Sequence, residues 1–274
     1  MRAVQSLAFL FLFLFISSTT IAQRSRYWED KPGTWLLSTG LGVTRYTGDL
    51  NEPGDLGHFQ AGIAANLAVS YRLSYQVSLR AEGQLYLIRG DQKYTRNFYN
   101  NLSFISLNPD SWAGVQVDLW RVDDAHRASI PYALVGVGLT YMTPRAFYAG
   151  GLYSLAPMRT EGVDYNRLPL IVRYGIGVPL AVGDRTRLHL EGTYTHVNSD
   201  YLDDVSTVYA DQTGKDPFEA VLADRRGEIG LPLNRPGEQR GNSTKNDGYF
   251  IVAARLVYVL STPQLRRYKR VFGR

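Results

Sequence analysis

The residues best suited to acid–base or nucleophilic chemistry lie close together near position 200 of the chain. His196 is followed by Ser199 and then by the acids Asp200, Asp203 and Asp204. A histidine can activate a serine hydroxyl when the two side chains are within hydrogen-bonding distance. Here alternation along the preceding segment places His196 on an apolar face, whereas Ser199 follows in a loop. The spacing favours a histidine at the edge of an apolar surface, and no catalytic residue is predicted.

The same three acids offer the oxygen ligands that divalent cations prefer. They lack the glycine-punctuated order of an EF-hand loop, so hydrogen bonds that close turns are the favoured role for them. The remaining histidines, His58, His126 and His189, are scattered and show no metal-ligand spacing. The sequence therefore predicts neither a metal site nor a cofactor, and His189 is expected to line an interior.

Residues 1–22 have the pattern of a secretory signal peptide. Arg2 precedes an apolar run at positions 7–16, which is shorter than the roughly 20 residues of a membrane-spanning helix. Small residues at Thr20 and Ala22 are suited to cleavage before Gln23, and an uncleaved anchor is the alternative. The chain has no cysteine, which excludes disulfides, cysteine-bound zinc and a lipid-modified cysteine.

Positive charge is concentrated at the C-terminal end of the sequence. The formal net charge is +5, but residues 261–274 contain five cations and no acid. Without these five cations and Arg2, the rest of the chain carries a formal charge of −1. Because the body is nearly neutral, the basic balance does not indicate a nucleic-acid-binding protein.

Most of the chain alternates between apolar and polar residues with a period of two, which predicts β-strands. In residues 61–72 the apolar Ile63, Leu67 and Val69 share one face, and Asn66 and Ser70 share the other. Eight segments alternate in this way, at residues 35–46, 61–72, 77–87, 112–120, 132–141, 168–180, 188–196 and 249–260. Their length suits tilted membrane-spanning strands, so residues 35–260 are predicted to form an eight-stranded antiparallel transmembrane β-barrel.

Charges on the polar faces distinguish such a barrel from a soluble β-sandwich, whose packed core does not accept unpaired charge. The charged residues on these faces are Arg80, Glu82, Asp118, Arg173, Glu191 and Arg255. Three of them are basic and three are acidic, and eight strands enclose an interior that side chains can fill. We expect these residues to pair into a charge network in the lumen, without a wide pore.

Aromatic residues and connection lengths also fit a membrane barrel. Trp35, Tyr71 and Tyr258 fall near one rim, and Tyr141 and Tyr194 fall near the other, as interfacial girdles do. Short connections alternate with long ones, and bacterial barrels keep their long loops outside the cell. Segments 23–34 and 261–274 are then periplasmic. The fourth external loop, residues 198–247, is longer than loops without secondary structure usually are, so it should contain local structure or have a function.

Several short segments carry a resemblance to a known family. The most specific is Tyr201-Leu202-Asp203-Asp204-Val205-Ser206, and others stand at residues 46–51, 101–104, 131–138, 160–162, 223–228 and 240–247. In this order and spacing they resemble the PorG family of outer-membrane barrels from Gram-negative bacteria with type IX secretion. The resemblance implies a non-enzymatic component of that apparatus, associated with the periplasmic ring of the PorK lipoprotein and PorN. The bilayer and lipopolysaccharide are further expected partners.

The basic tail is the most distinctive feature of the predicted periplasmic side. We expect Arg266, Arg267, Tyr268, Lys269 and Arg270 to dock on the ring or on an anionic surface such as peptidoglycan. A solvated charged extension is the alternative interpretation.

Two other functions remain open at this point. One is a lipid A-modifying enzyme, for which His196 and Ser199 are the candidate residues. The other is an external attachment barrel, although Arg89-Gly90-Asp91 is typical of a turn before it indicates an adhesion motif.

Overall fold

The computed structural model describes residues 31–52, 54, 57–122, 129–182 and 185–261. These residues form ten β-strands joined by loops that contain short helices. The strands are β1 (Trp35–Thr47), β2 (Ala61–Arg72), β3 (Val77–Asp91), β4 (Ser103–Asp118), β5 (Tyr132–Thr140), β6 (Pro144–Tyr148), β7 (Gly151–Ser154), β8 (Leu170–Val182), β9 (Thr186–Val197) and β10 (Gly248–Ser261). The predicted signal peptide and most of the basic tail lie outside the described residues.

Eight of the strands close into an antiparallel ring. Each pairs with its neighbour along the chain, with β5 next to β8, and β1 pairs with β10. The ring has no free edge, so every strand satisfies its backbone hydrogen bonds against two neighbours. The prediction of an eight-stranded antiparallel barrel is confirmed.

Two details of the strand prediction were wrong. β4 begins at Ser103 rather than near position 112, because Asn108 and Asp110 turn inward and are buried, while the intervening Pro109 pairs with Leu85. This Asn-Pro-Asp sequence has the composition of a turn. The loop after β5 contains the unpredicted hairpin β6–β7, whose first strand extends the line of β5 and pairs with β4.

The two faces of the barrel wall differ as a membrane barrel requires. Outward side chains are apolar and exposed, including Leu41 at 72%, Ile63 at 69% and Ile176 at 70%. Inward side chains are mostly polar and buried, in strict alternation with the outward ones. A closed antiparallel barrel with an apolar exterior and a polar interior is the outer-membrane type.

The connections at residues 73–76, 119–131 and 183–185 lie at one end of the barrel, which we call the turn end. The other end, which we call the loop end, carries the two longest connections. The loop end carries residues 48–60, 92–102, 141–169 and 198–247. The last of these contains the helix α1 (Pro217–Ala223) and a single helical turn at Arg226–Ile229. Within the described part of the chain, no helix is both long enough and apolar enough to cross a bilayer.

Candidate functional site

Two buried glutamates sit among arginines at the centre of the lumen. Arg80 donates to Glu82 at 2.5 Å and to Glu191 at 2.6 Å. Arg255 reaches the same two carboxylates at 2.8 Å and 3.3 Å. These four side chains come from β3, β9 and β10, so the ion pairs join opposite parts of the barrel wall.

A third arginine extends the network toward the loop end. Arg173 lies 3.5 Å from Glu82 and 2.6 Å from Asp110. Tyr249 donates its hydroxyl hydrogen to Asp110 at 2.5 Å, and Arg173 also donates to the Thr195 hydroxyl at 2.8 Å. Three arginines thus face three carboxylates, and the central network is electrically neutral.

Glycines in the wall provide the space that these large side chains occupy. A Cβ at Gly40 would lie 3.0 Å from Cγ of Arg255, and a Cβ at Gly136 would lie 2.5 Å from the Trp112 ring. Trp112 in turn packs against Arg80 and Arg173, with guanidinium carbons 5.2 Å and 5.5 Å from its ring centre. Side chains therefore fill the middle of the lumen.

The structure brings together five of the six residues expected in the lumen network and separates the sixth. Asp118 pairs with Arg72 at 2.6 Å, at the turn end of the barrel. Between this pair and the central network there is a cavity of only about 50 Å³. His189 also lies in this part of the lumen, with its Nδ1 atom 3.3 Å from the Tyr132 hydroxyl.

At the loop end, four distant segments meet and form a cap over the barrel mouth. They are residues 46–51, 160–162, 200–207 and 240–247. Within the Tyr201-to-Ser206 motif, Leu202, Asp203, Asp204, Val205 and Ser206 are at most 2% exposed. Tyr201 is half-buried and stacks on Tyr165 with a ring separation of 4.4 Å.

Two carboxyl groups of the cap share one phenol. The Tyr46 hydroxyl lies 2.5 Å from Asp203 and 3.0 Å from Asp247. Asp203 also accepts from the backbone N–H of Val205 at 2.9 Å, and Asp247 accepts from that of Leu202 at 3.0 Å. Since one hydroxyl hydrogen serves only one acceptor at a time, the pair is satisfied best when one carboxyl is protonated.

An arginine and a glutamate hold the remainder of the cap. Glu161 accepts from the backbone N–H groups of Ser206 and Thr207 at 2.8 Å and 2.9 Å, and it pairs with Arg240 at 3.0 Å. Arg240 also donates to the carbonyl oxygen of Asp204 at 2.5 Å. Every partner in this group is buried or nearly so, and the contacts join the loop at residues 141–169 to two segments of the loop at residues 198–247.

Burial sets the protonation of the cap carboxyls. It raises the pKa of Asp203 and of Asp247 well above the usual range, and the Asp203 carboxylate raises the pKa of Asp247 further. Burial likewise raises the pKa of Asp200 to about 7. It raises the pKa of Asp204 to about 6, against the lowering effect of Arg240.

The candidate catalytic pair is not assembled. His196 lies on the exposed, lipid-facing side of β9, whereas the Ser199 hydroxyl accepts from the backbone N–H of Tyr201 at 3.2 Å. No hydrogen bond joins the two side chains in the described structure. The described residues also include no cluster of three or more ligands able to hold a metal ion. Arg266, Arg267, Tyr268, Lys269 and Arg270 lie outside the described residues.

Sequence reasoning missed the partners that complete each group. Asp110 was assigned to a loop, although Arg173 requires a third carboxylate for neutrality. Arg72, the last residue of the alternating segment 61–72, pairs with Asp118 across the lumen, and alternation along one strand does not identify such a partner. Glu161 and Arg240 stood out in the sequence only as parts of family-like segments, because their contact depends on how the loops at residues 141–169 and 198–247 fold against each other.

We expect Glu191→Gln to destabilise the barrel by about 3 kcal/mol or more, because it leaves buried arginine charge uncompensated. Urea unfolding in lipid vesicles measures this loss. Asp164→Asn is the control, since the Arg159–Asp164 pair is 58% and 74% exposed; it should change stability by less than about 1 kcal/mol. The double variant Glu191→Gln/Arg255→Gln, which restores neutrality, should lose less than Glu191→Gln alone. Equal losses of unfolding free energy for Glu191→Gln and Asp164→Asn would contradict the structural role of Glu191 in the lumen network.

We also expect the cap to loosen as pH rises. A carboxyl whose folded pKa lies above its unfolded value of about 3.9 stabilises the fold fully below that value. The contribution is lost as pH rises through the folded pKa, about 6 for Asp204 and about 7 for Asp200. Hydrogen exchange at the Leu202 and Val205 amides, corrected for intrinsic rates, should show stronger protection at pH 5 than at pH 8. Equal protection of these two amides at pH 5 and pH 8 would contradict the expected loosening of the cap.

No family model matches the chain, and no curated protein matches it by sequence. Among solved structures, it is similar to Neisserial surface protein A, with 11% identity, coverage of 82% of this chain and 96% of that one, and a TM-score of 0.44. OprG from Pseudomonas aeruginosa gives 11% identity, coverage of 86% and 99%, and a TM-score of 0.46. Ail of Yersinia pestis, in complex with the heparin analogue sucrose octasulfate, gives 10% identity, coverage of 83% of this chain and 98% of that one, and a TM-score of 0.39. All three are outer-membrane barrels, and the barrel of this chain is established by its own strand pairing.

Proposed function

We propose that this chain is a closed outer-membrane barrel that acts by binding other proteins, as a structural component of type IX secretion. The observation that supports a closed barrel is that side chains fill the lumen. Three arginines and three carboxylates pair across the barrel, and the cap covers the mouth above them. Transport through the lumen would require these buried ion pairs to separate, at a cost of several kcal/mol.

The assignment to type IX secretion rests on the resemblance to the PorG family. Several segments that carry this resemblance lie together in the cap. Four of the segments that carry the resemblance meet in one buried group around Asp203, Glu161 and Arg240. A set of segments that fold together is expected to retain its order and spacing as a unit. The resemblance thus involves a folded element as well as separate short motifs.

Contact with a periplasmic ring would have to be made from the turn end. With the long loops outside the cell, the turn end faces the periplasm, and with it the start of β1 at Trp35 and the end of β10 at Ser261. Among the segments at this end, the basic tail is distinguished by its charge, with five cations and no acid in residues 261–274. We therefore propose that Arg266, Arg267, Tyr268, Lys269 and Arg270 dock on a PorK/PorN-like ring.

Deleting the gene should reduce the amount of type IX-secreted protein (the cargo) in the medium, while the lipid A mass spectrum stays unchanged. Loss of cargo with altered lipid A would support an enzyme instead. Unchanged cargo would overturn the secretion role. A strain that loses only surface attachment would favour the adhesion function.

The tail is tested separately by removing its charge. The variant Arg266→Gln/Arg267→Gln/Lys269→Gln/Arg270→Gln should assemble in the outer membrane and lose co-purification with the ring. The matched control, Arg266→Lys/Arg267→Lys/Lys269→Arg/Arg270→Lys, exchanges cation for cation at the same four positions and should retain binding. If the glutamine variant still co-purifies with the ring, the docking proposal fails while the secretion role stands.

A further inference from the structure

Within the described strands, the charged residues that point toward lipid lie at one end of the barrel. Within the described strands, the outward Asp, Glu, Lys and Arg side chains are Arg45, Arg89, Asp91 and Arg145. All four lie at the loop end. The outward strand residues at the turn end are uncharged and include Trp35, Tyr71 and Tyr258. Two cations outside the strands contact aromatic residues at that end: Arg185 donates to the Tyr258 hydroxyl at 3.5 Å, and the Arg121 guanidinium carbon lies 4.7 Å from the centre of the Tyr75 ring.

Two of these arginines lie in one row across three strands. Arg89 of β3 is paired with Ile105 of β4, and Ile105 is paired with Arg145 of β6. Neighbouring Cα atoms in antiparallel pairs are about 5 Å apart, so the two arginines flank Ile105 at a separation of about 10 Å. Their side chains leave the same face of the sheet.

Neither arginine is neutralised by the protein. Both are exposed, and neither forms an ion pair or a side-chain hydrogen bond with any residue that the structure describes. The acid on the same face, Asp91, instead accepts from the backbone N–H of Lys93 at 2.9 Å. An arginine facing lipid is costly in the middle of a bilayer and is tolerated near its surface. Near the surface of a bilayer, the phosphates of the lipid headgroups are neighbouring groups of opposite charge.

We propose that Arg89 and Arg145 bind phosphate groups of lipopolysaccharide in the outer leaflet. A guanidinium group matches phosphate with two parallel N–H···O bonds, which gives both charge and geometry. Both leaflets contain phosphate, but Arg89 and Arg145 lie at the loop end, on strands β3 and β6. With the long loops outside the cell, that end lies in the outer leaflet, whose lipopolysaccharide clusters several phosphates on one molecule.

Aromatic rings place further cations at the same level. The Arg45 guanidinium carbon lies 5.2 Å from the centre of the Phe59 ring, and that of Arg167 lies 4.7 Å from the centre of the Tyr141 ring. Rings of this kind occupy the headgroup region of a bilayer. The inference requires that the long loops face outward, and it is independent of any role in secretion.

The test uses the mature chain in phosphatidylcholine nanodiscs, with lipopolysaccharide added and the melting temperature followed. Wild-type protein should be stabilised, and Arg89→Gln/Arg145→Gln should bind lipopolysaccharide about tenfold more weakly. The control, Arg235→Gln/Lys245→Gln, removes two exposed loop cations and should behave as wild type. Arg89→Lys/Arg145→Lys should show intermediate affinity, because it retains charge without the two-bond geometry. Melting without lipopolysaccharide shows that each variant is folded.

Two further ligands, tested in the same way, identify the source of the phosphate. Dephosphorylated lipopolysaccharide should stabilise wild-type protein no more than it stabilises the double glutamine variant, and inorganic phosphate should have no effect. Equal affinity of wild type and the double glutamine variant for lipopolysaccharide would overturn the proposal. So would full stabilisation by the dephosphorylated lipid or by inorganic phosphate alone.

Discussion

The pairing of Glu82 and Glu191 with Arg80, Arg173 and Arg255 is the interaction on which the rest of the structure depends. An eight-stranded barrel has an interior too narrow for a water-filled channel, so charges placed there must neutralise one another. These ion pairs connect strands on opposite sides of the wall, and wall glycines make room for the large side chains. The lumen becomes a packed polar core, while the apolar surface faces outward to lipid.

The sequence predicts the barrel well because its constraint is local. Each strand must alternate between a lipid face and a lumen face, and that alternation is visible residue by residue. The start of β4 was missed because Asn108, Pro109 and Asp110 have the composition of a turn, although the two polar side chains are lumen residues. The hairpin β6–β7 is short and was not distinguished from loop. The cap was beyond sequence reasoning, since Glu161 and Arg240 are 79 residues apart and meet only after the loops fold.

The molecule separates structural charge from charge that is available for binding. In the lumen and cap, ionised groups are buried and satisfied by partners from distant segments, which stabilises the fold. Arg89 and Arg145 are exposed on the outer wall, and the basic tail follows the last strand. We assign binding to these outer surfaces. Asp203 and Asp204, for which the sequence favoured turn-closing hydrogen bonds over a role as cation ligands, take part in the contacts that close the cap over the barrel mouth.

The central claim is that this barrel is closed and acts through its surfaces, and planar-bilayer recording tests it most directly. The refolded mature chain should insert without giving a steady conductance, because paired side chains fill the lumen and the cap covers its mouth. A stable, porin-like conductance that scales with the number of inserted barrels would contradict the account.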